Sequence, residues 1–148
     1  MKTIFPKKEC HIPKWFIIDA TNKTLGRLAT EASKLLRGKE ISYFTPGIDQ
    51  GNFVVILNAD KVIVTGSKRS QKLYYRNSQR PGSLKIETFD QLQKRIPTRI
   101  IEEAIWGMLS KNHLGRQNYK RLYIYKQGEL PYKENSENIS QSWISVKL

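Results

Sequence analysis

Apolar residues fall into short continuous runs and longer helical stripes, and the two kinds alternate along the first third of the chain. Trp15-Phe16-Ile17-Ile18 is a continuous run closed by Asp19-Ala20-Thr21-Asn22, which predicts a strand buried on both faces and stopped by turn formers. Leu25, Leu28, Ala29, Ala32, Leu35 and Leu36 then recur at helical spacing, with Thr24 placed to cap the helix and Gly38, just beyond basic Arg37, to end it. Tyr43 to Asn52 carries Pro46, Gly47 and Gly51 and reads as a loop. Phe53-Val54-Val55-Ile56-Leu57 is a second run of strand formers. Strand, helix and fully apolar strand in that order predict a right-handed βαβ crossover with the strands parallel.

Beyond this unit the pattern thins. Val62-Ile63-Val64 reads as a third strand and Leu73-Tyr74-Tyr75 as a short ribbon; Thr88 to Arg95 makes a helical turn or two, interrupted by Pro97. Ile100, Ile101, Ala104, Ile105, Met108 and Leu109 mark a second amphipathic helix, capped by Thr98. Leu114 to Arg121 reads as a short helix, Leu122 to Tyr125 as a last strand, and Gln127 onward as a polar tail with an apolar end at Trp143-Ile144. Before Trp15, four lysines and two prolines show no periodicity. The chain thus divides into a basic N-terminal arm (1–14), one α/β domain (15–126) and a C-terminal tail (127–148). With 148 residues it is the size of a single domain, able to bury about 70% of its unfolded surface.

Charge changes the picture. There are 26 Lys and Arg against 13 Asp and Glu, a formal net charge of +13, and such an excess calls for a polyanion that neutralises it and releases counterions. No segment has the ~20 apolar residues of a membrane span, and no helix joins a purely basic face to bulky apolar anchors. Cys10 is the one cysteine, so no internal disulfide is expected and a reducing compartment is. The first residues show no secretory or transit pattern, which points to synthesis where the protein works.

Two stretches, Lys61 to Ile86 and Ala104 to Gly128, contain no acidic residue. A charge run is ordinarily a solvated face. Here the excess charge and the interleaved Tyr74, Tyr75, His113 and Tyr119 favour RNA, because flat rings stack on exposed bases while cations meet phosphates. Lys68 to Lys85 holds too few apolar residues to dock on a core, so it is expected to be mobile until RNA orders it. Enzymatic readings fare worse. Gly26 stands alone, without the spaced glycines of a dinucleotide fold or a phosphate loop. Asp19 ends a buried strand, a favoured catalytic place, yet Asp-Ala-Thr-Asn reads more naturally as a turn. His11 and His113 are too few for a metal cluster, and Cys10 lies in an arm that cannot position a nucleophile.

Several of these residues carry a resemblance. Asp19-Ala20, Lys23-Thr24-Leu25-Gly26-Arg27-Leu28-Ala29-Thr30, Leu36-Arg37-Gly38-Lys39, Thr45-Pro46, Gly51, Asn58-Ala59-Asp60-Lys61-Val62, Thr65-Gly66 with Lys68, Lys72 with Tyr74-Tyr75-Arg76, Gly107-Met108-Leu109 and Leu114-Gly115-Arg116 occur in the order seen in one family. The chain resembles the large-subunit ribosomal protein family L-thirteen, of bacterial and plastid type, from about Trp15 to Tyr125. The resemblance implies a three-layer α/β/α sandwich around a small, mainly parallel sheet, with basic loops and extended termini. It implies binding of large-subunit ribosomal RNA early in subunit assembly, neighbouring large-subunit ribosomal proteins as further partners, and no catalysis, cofactor, metal, membrane or small-molecule substrate. It also recasts Gly26 as a helix–sheet packing residue. Where the family usually has a His and a Gly pair after Tyr75-Arg76, this chain has Asn77 to Ser83; Ser110 replaces a usual Pro, and nothing aligns after Lys133.

The candidate RNA-binding residues are then Lys7, Lys8, Lys23, Arg27, Lys34, Arg37, Lys39, Lys68, Arg69, Lys72, Tyr74, Tyr75, Arg76, Arg80, Lys85, Lys111, His113, Arg116, Lys120 and Arg121. Alternatives from other classes are a small basic RNA-processing enzyme and a regulator of free messenger RNA. Plentiful Lys, Ile, Asn and Tyr, with Lys preferred to Arg, suggest an AT-rich genome and favour a plastid stroma over a bacterial cytoplasm.

Overall fold

In chain order the elements are β1 (Trp15–Asp19), α1 (Leu25–Arg37), β2 (Phe53–Leu57), a 3-10 turn (Ala59–Lys61), α2 (Lys68–Gln71), β3 (Leu73–Arg76), β4 (Lys85–Thr88), α3 (Phe89–Arg95), α4 (Pro97–Met108), α5 (His113–Tyr119), β5 (Leu122–Ile124) and β6 (Trp143–Ser145). The computed structural model describes residues 5–7, 11–128 and 143–146. Strands β5, β2, β1 and β6 form one sheet in that order, and every pair in it is parallel. The predicted βαβ unit is present, with Trp15 opposite Phe53 and Asp19 opposite Leu57. Part of the stretch read as a tail, Trp143–Ser145, extends the sheet beside β1.

Strand alternation sorts the sheet into two faces. Phe16, Ile18, Val54 and Ile56 join the buried cluster formed with Leu28, Ala29, Ala32 and Leu36 of α1 and Ile100, Ile101 and Ile105 of α4. Truncating one of these fully buried Leu or Ile side chains to Ala costs about 2–5 kcal/mol in comparable cores. Trp15, Phe53 and Tyr123 lie on the other face, where Trp15 stacks on Phe53 at 4.4 Å and on Tyr123 at 5.8 Å. The architecture is the expected α/β one around a small parallel sheet, with α1 and α4 forming the helical layer on the first face.

Several boundaries differ from the expectation. Thr24 occupies the N-cap position of α1 but its side chain caps nothing. The entry is fixed by backbone instead, as the Leu25 N–H donates to Ile63 O at 2.9 Å and the Ile63 N–H to Lys23 O at 3.0 Å. Among the described residues that single parallel bridge is all the strand pairing Val62–Val64 makes: the 3-10 turn before it re-aims the chain, and Val62 goes into the core. Thr98 caps nothing either. Pro97 is the first residue of α4, where its missing N–H costs no hydrogen bond, so Thr98 lies inside the helix. The preceding helix α3 has a full capping box, Thr88 with Gln91.

Within Lys68 to Lys85 the expectation that the segment cannot dock on the core is corrected. β3 pairs antiparallel with β4, from Leu73 opposite Thr88 to Arg76 opposite Lys85. Tyr74 is buried and belongs to the core cluster, and Arg69 meets Asp90 at 3.4 Å. One large ring supplies the apolar anchor that a count of apolar residues did not.

The loop after α1 is held by close backbone approach. Gly38 has φ 72°, its N–H donates to Leu35 O, and a Cβ built on it would lie 2.0 Å from the Gln50 carbonyl oxygen. Gly38→Ala is expected to lose more than about 1 kcal/mol of stability, since both the left-handed φ and the contact penalise a side chain. Urea unfolding checks this, and an unchanged midpoint would refute it.

Candidate nucleic-acid interface

The bridge between Thr24 and Ile63 sets the site's geometry, because it holds the N-terminal end of α1 against the chain that leads into α2. Lys23 and Arg27 then come together with Lys68 in a cleft also lined by Asn22, Thr24, Gly26 and Thr65. An adjoining cleft shares Thr24, Gly26 and Lys68 and adds Gln71, Lys72 and Met108. Gly26 is exposed, and a Cβ there would meet nothing within 4 Å. The helix–sheet packing role implied by the resemblance is therefore corrected: Gly26 opens onto both clefts and keeps their wall low. Thr65 and Gln71 were missed as site residues, because neither has a charge or ring to single it out.

The other candidates fall into smaller groups. Lys34, Arg37 and Lys39 sit at the C-terminal end of α1, where cations complement the helix dipole, and Lys34 is paired with Glu31 at 2.7 Å. Arg76, Arg80 and Lys85 are exposed along the β3–β4 hairpin and its tip. His113, the first residue of α5, and Arg116 are exposed, as is Lys120 just past the helix end. Lys111 lies over the Trp106 ring at 4.1 Å and donates to the Trp106 carbonyl oxygen. Lys7 is exposed, whereas Lys8 lies outside the described residues. Among the described residues, Arg27, Lys68, Lys72, Arg76, Arg80, Lys85, Arg116 and Lys120 pair with no carboxylate.

Two candidates serve the fold. The Arg121 guanidinium grips Asp49 through both of its carboxylate oxygens, at 2.8 and 2.6 Å, and donates to the Gly51 carbonyl at 2.7 Å. Asp49 keeps 5% of its side chain exposed and Arg121 21%, so this bidentate pair pins the loop before β2 and is not a spare cation for phosphate. Seventy-two positions separate the two, and no local pattern announces them. Tyr74 is the other. Its ring lies under Lys72 Nζ at 5.2 Å and within the core, so no ring face is free for a base.

Asp19 confirms the turn reading. It accepts from the Asn58 amide at 2.9 Å and from the Thr21 N–H and hydroxyl at 3.0 and 2.7 Å. The Asn58 hydrogen bond first, then those from Thr21, hold its carboxyl below the ordinary value of 3.8. A carboxylate so satisfied is a poor proton acceptor. Among the described residues no group of three or more His, Cys, Asp and Glu could hold a metal ion, and no helix is long and apolar enough to cross a membrane.

The profile of a family described as Ribosomal protein L13 matches residues 13–131. The chain is 56% identical over 131 residues to a protein of Prochlorococcus marinus named Large ribosomal subunit protein uL13, covering 88% of this chain and 92% of that one. To proteins of the same name it is 54% identical over 133 residues in Thermosynechococcus vestitus (90% and 88% covered) and 51% over 138 residues in Microcystis aeruginosa (93% and 91%).

Tyr74 makes the site testable through pH. Burial first, and Glu103 second, push its phenol up from 10.0 to about 12, and its hydroxyl has no described partner. The folded state therefore holds the proton more tightly than the unfolded one: this contribution is complete below pH 10 and is lost as pH rises from about 10 to 12. Tyr74→Phe is expected to keep stability at neutral pH and to flatten the alkaline decline. An equally steep decline in the variant, followed by chemical denaturation, would contradict the buried placement.

Proposed function

The chain belongs to the Ribosomal protein L13 family, and from that membership we propose that it is a structural constituent of the large ribosomal subunit. It is a component of the ribosome, not an enzyme, and its partners are ribosomal RNA and other ribosomal proteins. We further infer that it grips folded large-subunit RNA chiefly by phosphate contacts and does so early in subunit assembly.

One observation carries the RNA reading. Arg27, Lys68 and Lys72 line two adjoining clefts and pair with no described carboxylate, although thirteen acidic residues are available in the sequence. Glu31 also lines one cleft but is held by Lys34 at 2.7 Å, so the cleft cations outnumber counter-charge and repel one another, a cost that a phosphate backbone relieves. The four cations of the clefts outnumber their two amides, Asn22 and Gln71, which supports phosphate contacts as the larger share of binding. Lys23, the α1 C-terminal cations, the hairpin cations and the α5 group extend this surface. Neither the RNA-processing enzyme nor the messenger-RNA regulator gains a supporting observation.

We place the ribosome in a plastid. The lean of the composition toward Lys, Ile, Asn and Tyr supports this reading, and similarity to proteins of Prochlorococcus, Thermosynechococcus and Microcystis is compatible with a plastid and a bacterial ribosome alike.

The native protein is expected to co-sediment with large subunits through a high-salt gradient, and with those of isolated plastids in particular. A wholly free pool refutes the ribosomal assignment, and recovery from cytoplasmic ribosomes alone refutes the plastid. Affinity for large-subunit RNA should fall steeply with salt. Arg27→Glu with Lys68→Glu should weaken binding and reduce the logarithmic salt slope by roughly 0.7–0.9 per lost phosphate contact. An unchanged slope would remove these two residues from the interface.

A further inference from the structure

β3 and β4 form a two-stranded sheet whose inner face is anchored and whose outer face has no cover among the described residues. Alternation puts Tyr74 and Glu87 inside and Leu73, Tyr75 and Ile86 outside. Tyr75 and Ile86 are directly opposite one another, and Tyr75 is 64% exposed, Ile86 51% and Leu73 42%. Large apolar side chains gathered on a strand surface in water call for a partner.

The surrounding charge says which. From Lys61 to Ile86 there is no acid; alternation puts Lys72, Arg76 and Lys85 on the inner face with Tyr74, Arg80 stands at the hairpin tip, and Thr88, opposite Leu73, leaves the outer face without a carboxylate. The hairpin's first acid, Glu87, is turned inward and neutralised by Arg95 at 2.6 Å. A protein neighbour would need a far wider patch, since a stable interface takes roughly 20–30 residues a side. One ring flanked by two apolar side chains matches instead the size of a single nucleobase. Preorganisation helps as well: Tyr74 in the core, Arg69 on Asp90 and the Phe89 N–H on Lys72 O at 3.1 Å hold the strand that carries Tyr75, so little freedom is lost on binding.

We propose that the outer face of the β3–β4 hairpin is a base-stacking platform, on which Tyr75, flanked by Leu73 and Ile86, takes one unpaired nucleobase of the large-subunit RNA. The proposal rests on the ribosomal reading above and deepens it. Phosphate grips fix where the RNA backbone runs, and Tyr75 selects a place where a base is splayed out of the helix.

The test uses the full chain and large-subunit RNA transcribed in vitro from its own genome, with Kd measured across a salt series for wild type, Tyr75→Phe and Tyr75→Leu. Thermal melts verify that the variants fold. Tyr75→Leu keeps the apolar surface and removes the ring, so it should weaken binding roughly tenfold or more, the usual worth of one base stacked on an aromatic. Tyr75→Phe should bind like wild type, and the salt slope should stay the same in both. Ultraviolet cross-linking should join Tyr75 to a base in the wild-type complex. Wild-type affinity in Tyr75→Leu overturns the platform while leaving the ribosomal reading intact. Normal RNA affinity with failure to enter large subunits would assign the face to a protein neighbour and overturn it equally. Failure of the wild type to bind the RNA at all overturns both.

Discussion

Parallel pairing of β1 with β2 is the constraint from which the rest follows. Two parallel strands cannot be joined by a tight turn, so the chain must cross the sheet and return, and α1 is that crossing. Because both strands are apolar along their length, one face has to be roofed by the helix, which fixes the stripe Leu25, Leu28, Ala29, Ala32, Leu35 and Leu36. The N-terminal end of α1 is thereby set just past the end of β1. One further parallel bridge, Thr24 to Ile63, ties the chain leaving β2 to that same point. The cations before and within the first turn of α1 therefore lie beside those of α2, although some forty residues of sequence separate Lys23 and Arg27 from Lys68.

Charge plays almost no part in building this fold. Most described ion pairs are exposed, whether within one helix like Lys34 with Glu31 and Arg99 with Glu103 or between elements like Arg69 with Asp90 and Arg95 with Glu87, and are worth at most about 1 kcal/mol each. Arg121 with Asp49 is the exception in being largely buried, and it joins a loop to the chain entering β5. The core is apolar and neutral, so the surface is free to be strongly one-signed. Such a division lets a small domain hold its shape while most of its cations stay available to a polyanion.

Legibility in the sequence followed the strength of local pattern. β1, α1, β2 and α4 are long periodic or continuous runs, and each was readable. β4 was not, because Lys85-Ile86-Glu87-Thr88 holds one apolar residue and becomes a strand only through β3. Thr98 looked like a cap because capping residues are recognised by type, whereas Pro97 settles the start of α4 through its fixed φ. In the site, the sign of the charge was legible and its pairing was not. Arg121 reads the same as Arg116 along the chain, and only the fold brings Asp49 to one of them. Gly26 was misread for a related reason: whether a glycine marks close packing or open space depends on neighbours that are distant in sequence.

Tyr74 and Tyr75 show the limit most sharply. Adjacent and identical, they are indistinguishable to any reading of composition, yet a strand sends consecutive side chains to opposite faces. One ring therefore enters the core and the other faces water. Neither outcome is independent of the other. Exposed apolar rings on a loose loop would collapse onto the nearest apolar surface, and Tyr75 is kept from doing so because Tyr74 has already fixed the strand's orientation. The buried ring is thus what keeps the exposed one presented. On the platform proposal, a hairpin held in this way meets RNA as a formed surface, its exposed cations and its outer ring in fixed relation to one another, and geometry, more than flexibility, decides which RNA it fits.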